Sequence, residues 1–395
     1  MKILAITNLF PNALQPERGV FNRQQFNALA KRSDLRVVAP VPWAPPVLRR
    51  LNRRWQLASR VPRLGVVDGI PTSYPRYLVT PKIGRSLSSV WLFASLWRVA
   101  RQIRQRFAFE VIFATWAFPD VVASSWMAQR LHIPLVSKVH GSDIALAARH
   151  PIRRRMIVTA LRRSVLVIAV SEALKRQLVA DGIEADKVVV IPNGVDLSVF
   201  KPIDRRSARQ ALSLPLERRR VVFVGNLVAV KGLPILIEAM QRLPEDVCLS
   251  VVGDGIQRRA LEGLVHTRRL AGRVEFVGQQ PHPDIALWMN AADCCCLPSL
   301  SEGCPNVVVE ALACGIPVVA TRVGGVPELL RNPACGIVVP PRDPQALAEG
   351  LQRSLETQWD LDRIRSEVSL WGWEDNGARV AALLNAACNG REASS

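Results

Sequence analysis

Short runs of apolar residues without helical spacing recur along the chain, at 2–7, 37–41, 110–115, 135–139, 165–171 and 188–191, and again at 221–224, 249–253, 274–278, 292–298, 316–320 and 336–340. Continuous runs of this length, rather than alternating ones, predict strands buried on both faces, as in parallel sheets. Amphipathic stretches between them predict helices over 20–31, 172–180 and 233–243. The repetition of strand, loop and helix predicts an α/β protein with doubly wound sheets. At 395 residues the chain is long enough for two such domains. A Pro-, Asp- and Arg-rich stretch over 201–220 has the composition of a linker followed by a short helix, so the boundary is expected near Phe200, giving domains 1–200 and 201–371.

The most informative pattern lies at 292–321. An apolar strand ends at Pro298, Gly303, Pro305 and Asn306 break it and open a short helix, Cys314-Gly315 closes that helix, and 316–320 forms the next strand. Units of this kind bind ligands beyond the carboxyl ends of their strands, where loop amides and a helix N-terminus converge. Glu302 and Glu310 stand eight positions apart, a little over two turns, so both can face one crevice from different heights. Carboxylates beside a phosphate repel it, so the pair is suited to accepting hydrogen bonds from sugar hydroxyls while amides and cations hold the phosphates. The plainer alternative has Glu302 capping the helix and Glu310 in solvent.

An apolar fraction of 49% with 22% charged residues describes a folded globular chain. No apolar run reaches the ~18 residues of a membrane-spanning helix, and the first residues read as a strand rather than a signal peptide. The eight cysteines form no C-x2-C pair, and Cys294, Cys295 and Cys296 lie inside an apolar strand. They read as small hydrophobes in a reducing cytosol, not as a metal or disulfide site. The net charge of +19 sits wholly in residues 1–200, with 30 Lys and Arg against 11 Asp and Glu, whereas 201–395 hold 22 of each. A basic half beside a neutral half points to an anionic surface or substrate. Two segments, 46–63 and 90–109, interleave arginines with Trp and Leu and fit the headgroup region of an anionic membrane. Equally, both can be ordinary helices with the apolar face in the core and the arginines in water. No nucleic-acid-binding motif accompanies them.

Further candidates end other strands. Gly19 closes the loop 8–18 and opens a helix, with Arg18 and Arg23 beside it. His140-Gly141-Ser142-Asp143 follows strand 135–139, and Gly225-Asn226 through Lys231-Gly232 follows strand 221–224.

Ser301-Glu302-Gly303-Cys304-Pro305-Asn306, continuing to Glu310 and to Cys314-Gly315-Ile316-Pro317-Val318, resembles the E-x7-E signature of the retaining glycosyltransferases of family 4. The segment is most similar to those of teichuronic-acid and exopolysaccharide transferases. The resemblance covers nearly the whole chain, including Arg322-Val323-Gly324-Gly325, and is strongest after residue 190. It implies the GT-B fold, two Rossmann-like domains facing across a cleft, with a C-terminal helix in 372–395 crossing back to the first. It also implies transfer of a sugar from a nucleotide-sugar donor, UDP-linked, to a lipid-linked or polysaccharide acceptor. The setting would be bacterial exopolysaccharide, capsule or cell-wall polymer synthesis on the inner face of the cell membrane. Glu302 would approach the transferred sugar and Glu310 the donor ribose. Gly303, Cys304, Pro305, Asn306 and Val307 would line the donor site, with main-chain amides of the stretch 304–307 meeting sugar and phosphates, and with Gly225 and Lys231 at the pyrophosphate and Gly278 near the base. His140 would contact the sugar, and Gly19, Arg18 and Asp143 the acceptor. No cofactor and no metal are expected, because helix amides and Lys231 can neutralise the diphosphate. One departure stands out: the family has Arg where this chain has Asn226, which donates a hydrogen bond without charge. That departure is what favours a rival reading, a sugar-nucleotide- or polyanion-binding protein without catalysis.

Overall fold

The computed structural model describes residues 1–46, 53–79, 86–148, 150–367 and 372–389. Part of the first basic segment, 47–52, and Trp371 lie outside the described residues. The chain forms two compact units, 1–194 with 373–395, and 195–372.

The first unit holds β1 (Lys2–Ile6), β2 (Asp34–Val38), β3 (Val41–Trp43), β4 (Leu64–Val67), β5 (Ile70–Ser73), β6 (Arg76–Leu78), β7 (Val111–Thr115), β8 (Leu135–Val139), β9 (Leu166–Ala169) and β10 (Val188–Val190). Eight of these make one sheet in the order β10-β9-β8-β7-β1-β2-β5-β4, parallel except for the β4–β5 hairpin, while β3 and β6 pair separately. Strand order reverses at β1, so the loops after β1 and β7 lie at the switch point where α/β sheets hold ligands.

The helix Val20–Ala30 packs against the C-terminal helix Trp373–Asn389. Val380, Ala381 and Leu384 bury in the core with Ile3, Phe26 and Phe113. The contact is sealed by polar groups too: Gln25 Nε2 donates to Asn376 Oδ1 at 2.6 Å, and Asn376 Nδ2 to the Pro192 carbonyl at 2.6 Å. The helix Ser88–Arg106 directs Leu92, Leu96, Ala100 and Ile103 inward and leaves Arg98, Arg101, Arg104 and Arg106 exposed. Its apolar stripe thus belongs to the interior, as the plainer reading has it, although Val90 and Trp91 remain 43% and 41% exposed.

The second unit holds β11 (Arg219–Val224), β12 (Val247–Val252), β13 (Val274–Gly278), β14 (Cys294–Leu297), β15 (Val318–Thr321) and β16 (Gly336–Val339). All six run parallel in the order β13-β12-β11-β14-β15-β16, the doubly wound dinucleotide-binding arrangement, which reverses between β11 and β14. Alternation along each strand feeds two cores. Val221, Phe223, Cys294 and Cys296 enter one, and Val222, Cys295 and Leu297 the other. The adjacent cysteines therefore point to opposite faces, and burial keeps their thiols protonated, Cys294 being pushed up to about 12.

The expected boundary needs correction. Val195 and Phe200 bury with Val222 and Leu312, so they belong to the second unit. The stretch after them is not a loose linker either. Its helix Arg205–Ala211 is anchored by Arg209, which donates to the Ala291 carbonyl at 2.9 Å and pairs with Asp293 at 2.7 Å.

Gly377 sits where a Cβ would lie 2.6 Å from Ala28 Cβ and 2.9 Å from its carbonyl carbon. Gly377→Val therefore forces the two helices apart and should destabilise the first unit by about 1–3 kcal/mol. Calorimetry should show a midpoint lowered by about 2–4 °C per kcal/mol.

Candidate active site

In the second unit the loops after β11 and β14 are tied together. The Leu300 amide donates to the Val230 carbonyl at 2.8 Å, which holds Lys231 beside the loop carrying Glu302. Lys231 Nζ donates to Glu302 Oε1 at 2.6 Å, and Ser299 Oγ donates to the same oxygen at 2.6 Å. Glu302 is not a helix cap: the helix Asn306–Ala313 begins after Pro305, with no side-chain cap bond. A glycine is required opposite it. Gly324 has a φ of 50°, and a Cβ there would lie 1.9 Å from the Glu302 carbonyl oxygen. Next to it the Gly325 amide donates to the Gly303 carbonyl at 2.9 Å.

Glu310 lies inside that helix and approaches His282 Nε2 at 3.6 Å, with only 16% of its side chain exposed, so it is not a solvated residue. His282 stands edge-on to Phe200, ring centroids 4.9 Å apart. Cys304, before the helix, and Val307, on its first turn, are half-buried. Gly225 donates to the Val252 carbonyl at 3.0 Å, and the Gly278 carbonyl accepts from Gly253 at 2.8 Å. Asn226 is exposed.

The first unit gathers a second group of residues around the loop after β1. Gly19 has a φ of 66°, and its missing Cβ would lie 2.2 Å from the Leu9 carbonyl oxygen. Asn22 donates to that same carbonyl at 2.8 Å. Arg18 donates through Nε to the Asn8 carbonyl at 2.9 Å and through Nη1 to Gln15 at 3.1 Å. Arg23 is different: it grips Asp68 through two bonds of 2.6 and 2.7 Å, so its charge is already matched.

His140 lies tilted against Phe21, ring centroids 4.9 Å apart and planes at 59°, and its Nε2 is buried without a partner. Burial, then the Lys138 ammonium, holds the imidazole well below its ordinary pKa, so it is neutral. Lys138 lies wholly buried on β8, donating to Asn193 at 2.8 Å and Gln25 at 3.1 Å. Asp143 has a different task from direct acceptor binding. It is 3% exposed, and its oxygens accept from the amides of Ala117 at 2.8 Å and of His140 and Ile144 at 3.0 Å, which fixes the turn that presents His140.

Three residues at these sites escape a reading of the sequence: Ser299, His282 and Asp120. The signal for Asp120 is a lone acid just past an apolar strand. It accepts from the Asn8 amide at 2.8 Å, while its other oxygen is buried without a partner. Burial pushes its carboxyl up to about 8, against the opposing pull of that amide and Arg18.

Known proteins agree with this architecture. Residues 27–199 match the family described as Glycosyltransferase Family 4 and residues 204–368 the one described as Glycosyl transferases group 1. The chain is 32% identical, over 89% of its length and 89% of the relative's, to TuaC of Bacillus subtilis (strain 168), a glycosyltransferase named for teichuronic acid biosynthesis. It is 36% identical to the D-inositol 3-phosphate glycosyltransferase of Mycobacterium tuberculosis over 54% of this chain and 48% of that one. Among solved structures, sucrose-phosphate synthase from Thermosynechococcus elongatus superposes with a TM-score of 0.77 at 23% identity, covering all of both chains. HepE of Anabaena in complex with UDP-glucose superposes with a TM-score of 0.69 at 25% identity, again over all of both chains. The chain belongs to glycosyltransferase family 4 and has the GT-B fold. It is a transferase, an enzyme of glycan biosynthesis, which sets aside the reading without catalysis.

The buried acid gives a testable pH dependence. Asp120 keeps its proton to about pH 8 in the fold but loses it near 4 when unfolded. Between those values the folded chain binds more protons, and stability falls as pH rises. Asp143, also raised by burial, contributes the same sign. His140 acts oppositely, but only below its ordinary value, where the unfolded chain takes up a proton. Urea unfolding between pH 7 and 8 should show this decline, and Asp120→Asn should flatten it by up to about 1.4 kcal/mol per pH unit. An unchanged slope would mean that Asp120 is ionised throughout.

Proposed function

We propose that the chain transfers a hexose from a UDP-sugar, with retention of configuration, to a lipid-linked acceptor in the assembly of a bacterial exopolysaccharide, capsule or cell-wall polymer. The observation that carries this reading is the Lys231–Glu302–Ser299 cluster at the carboxyl ends of β11 and β14, where the strand order reverses. The complexes of Anabaena HepE with UDP and with UDP-glucose support the donor class, and the name of TuaC supports the polymer.

In this reading the amides at the start of the helix Asn306–Ala313 and the Lys231 ammonium meet the diphosphate. Glu302 accepts from hydroxyls of the transferred sugar, and Glu310 from the ribose. His140, as a neutral imidazole, bonds a sugar hydroxyl through Nε2. The acceptor hydroxyl attacks the anomeric carbon on the face from which the diphosphate departs. The sugar–phosphate bond breaks as the new glycosidic bond forms, and the hydroxyl proton passes to the leaving phosphate oxygen.

UDP-sugars should raise the thermal midpoint of the wild-type chain, and one of them should be turned over. Glu302→Gln and Lys231→Met should each lower kcat/KM by roughly 10²–10³ while the fold is retained. NMR of the product should show the anomeric configuration of the donor, and inversion would sink the front-face route.

We further propose that the first unit meets an anionic membrane. Its basic charge, together with Leu64, Val66 and Leu87, each more than half exposed, supports this. Among the described residues no helix is long and apolar enough to cross a membrane. The chain should sediment with anionic vesicles but not with zwitterionic ones, and raising the salt should release it.

A further inference from the structure

A pocket of about 390 Å³ lies entirely within the first unit, in the size range of small-molecule sites. The loop after β1 supplies each of its charged and amide side chains, namely Asn8, Asn12, Gln15 and Arg18. Apolar groups from other elements, among them Val41, Trp55 and Val61, line the remainder. Leu14 and Leu57 also line it, yet are 43% and 41% exposed. Apolar side chains left partly in water around a cavity gain stability when an apolar ligand covers them.

Arg18 adds the second half of the argument. Among the described residues no carboxylate lies within ion-pair distance of it, and its bonds go to a carbonyl and an amide oxygen. Burial lowers its pKa, and Asp120, an acid whose field reaches it, is largely protonated at neutral pH. A half-buried guanidinium without a matching carboxylate is costly until an anion joins it, and its planar fork fits phosphate.

We infer that this pocket holds the aliphatic or isoprenoid chain of the acceptor, with the phosphate that esterifies it on Arg18. This rests on the proposed transfer to a lipid-linked acceptor and specifies where that lipid enters. Trp55, Val41 and Val61 flank the chain, and Leu14 and Leu57 close over it at the mouth.

The test is calorimetric titration of the full chain with inorganic phosphate, hexyl phosphate, decyl phosphate, decanoate and decanol, all below micellar concentration, alongside UDP. Alkyl phosphate affinity should rise about threefold to fourfold per methylene until the cavity is full. Decyl phosphate should bind at least tenfold more tightly than decanol or decanoate. Ala58→Trp, which narrows the pocket, should weaken decyl phosphate at least tenfold. Should that variant fail to fold by circular dichroism, Leu57→Asp takes its place with the same expectation. Affinity independent of chain length, decanol binding as tightly as decyl phosphate, or a folded variant with undiminished affinity overturns the inference. Those results beside intact UDP binding and turnover leave the transferase reading standing. The converse, alkyl phosphate bound as expected without UDP binding or turnover, removes the proposed function and keeps the pocket.

Discussion

The peptide that carries Glu302 has no room to turn. Gly324 is seated against its carbonyl so closely that any side chain there would collide, and the Gly325 amide fixes the next carbonyl. With the backbone held from behind and the Val230 carbonyl holding Leu300 ahead of it, the Glu302 carboxylate lies between Ser299 and Lys231. Only 10% of that side chain is exposed. A pair so enclosed is not an exposed ion pair of negligible strength. Removing either partner leaves the other charge without compensation in a poorly solvated place. The same rigidity is what a sugar-binding carboxylate needs, since misplacement by about half an ångström is enough to spoil a catalytic geometry.

Much of this was legible in the sequence because buried parallel strands announce themselves as uninterrupted apolar runs. The run through Cys294–Cys296 fixed both a strand and the fate of its thiols. Legibility failed where the determinant is not a local pattern. The hairpin of β4 and β5 is built around Asp68-Gly69, both at positive φ, which is a readable turn signal, but β4 leaves Leu64 and Val66 in water and only β5 has a buried face, through Ile70 and Thr72. The stretch after Phe200 has a linker's composition because its anchors, Arg209 and Asp293, are far apart in sequence and near only in the fold. Glu302 and Lys231 show the same limit. Each was visible as a candidate, but their direct contact follows from a bond between two loops that no spacing rule contains.

The first unit treats charge differently from the second. Burial raises the pKa of its site acids: Asp120 keeps its proton near neutral pH, and Asp143 is pushed in the same direction while accepting from three amides. Its cations meet uncharged oxygens: Lys138 donates to the side-chain amides of Asn193 and Gln25, and Arg18 to a carbonyl and an amide. The neutral imidazole of His140 thus sits among acids pushed toward their protonated form and cations met by uncharged oxygens. Such a site favours anionic groups through Arg18, whereas the uncharged His140 can share a hydrogen bond with a hydroxyl without imposing a charge on it.

Asn226 is best understood against that background. If Lys231 is shared between Glu302 and a diphosphate, its charge is partly compensated before the leaving group develops its own. Arg258, on the nearby helix Arg258–Thr267, does not stand in for it, because it is occupied by Glu262 at 2.8 Å, the Phe276 carbonyl at 3.2 Å and Asp254 at 3.8 Å. Another source of positive potential is the main chain. The amides of the first turn of the helix Asn306–Ala313 carry partial positive charge that needs no desolvation and no reorganisation as a bond breaks. In the proposed transfer, asparagine rather than arginine at 226 would shift the burden toward fixed backbone dipoles. The geometry of the loop before Asn306, and therefore the close seating of Gly324, matters more in this chain than it would beside a full pair of cations.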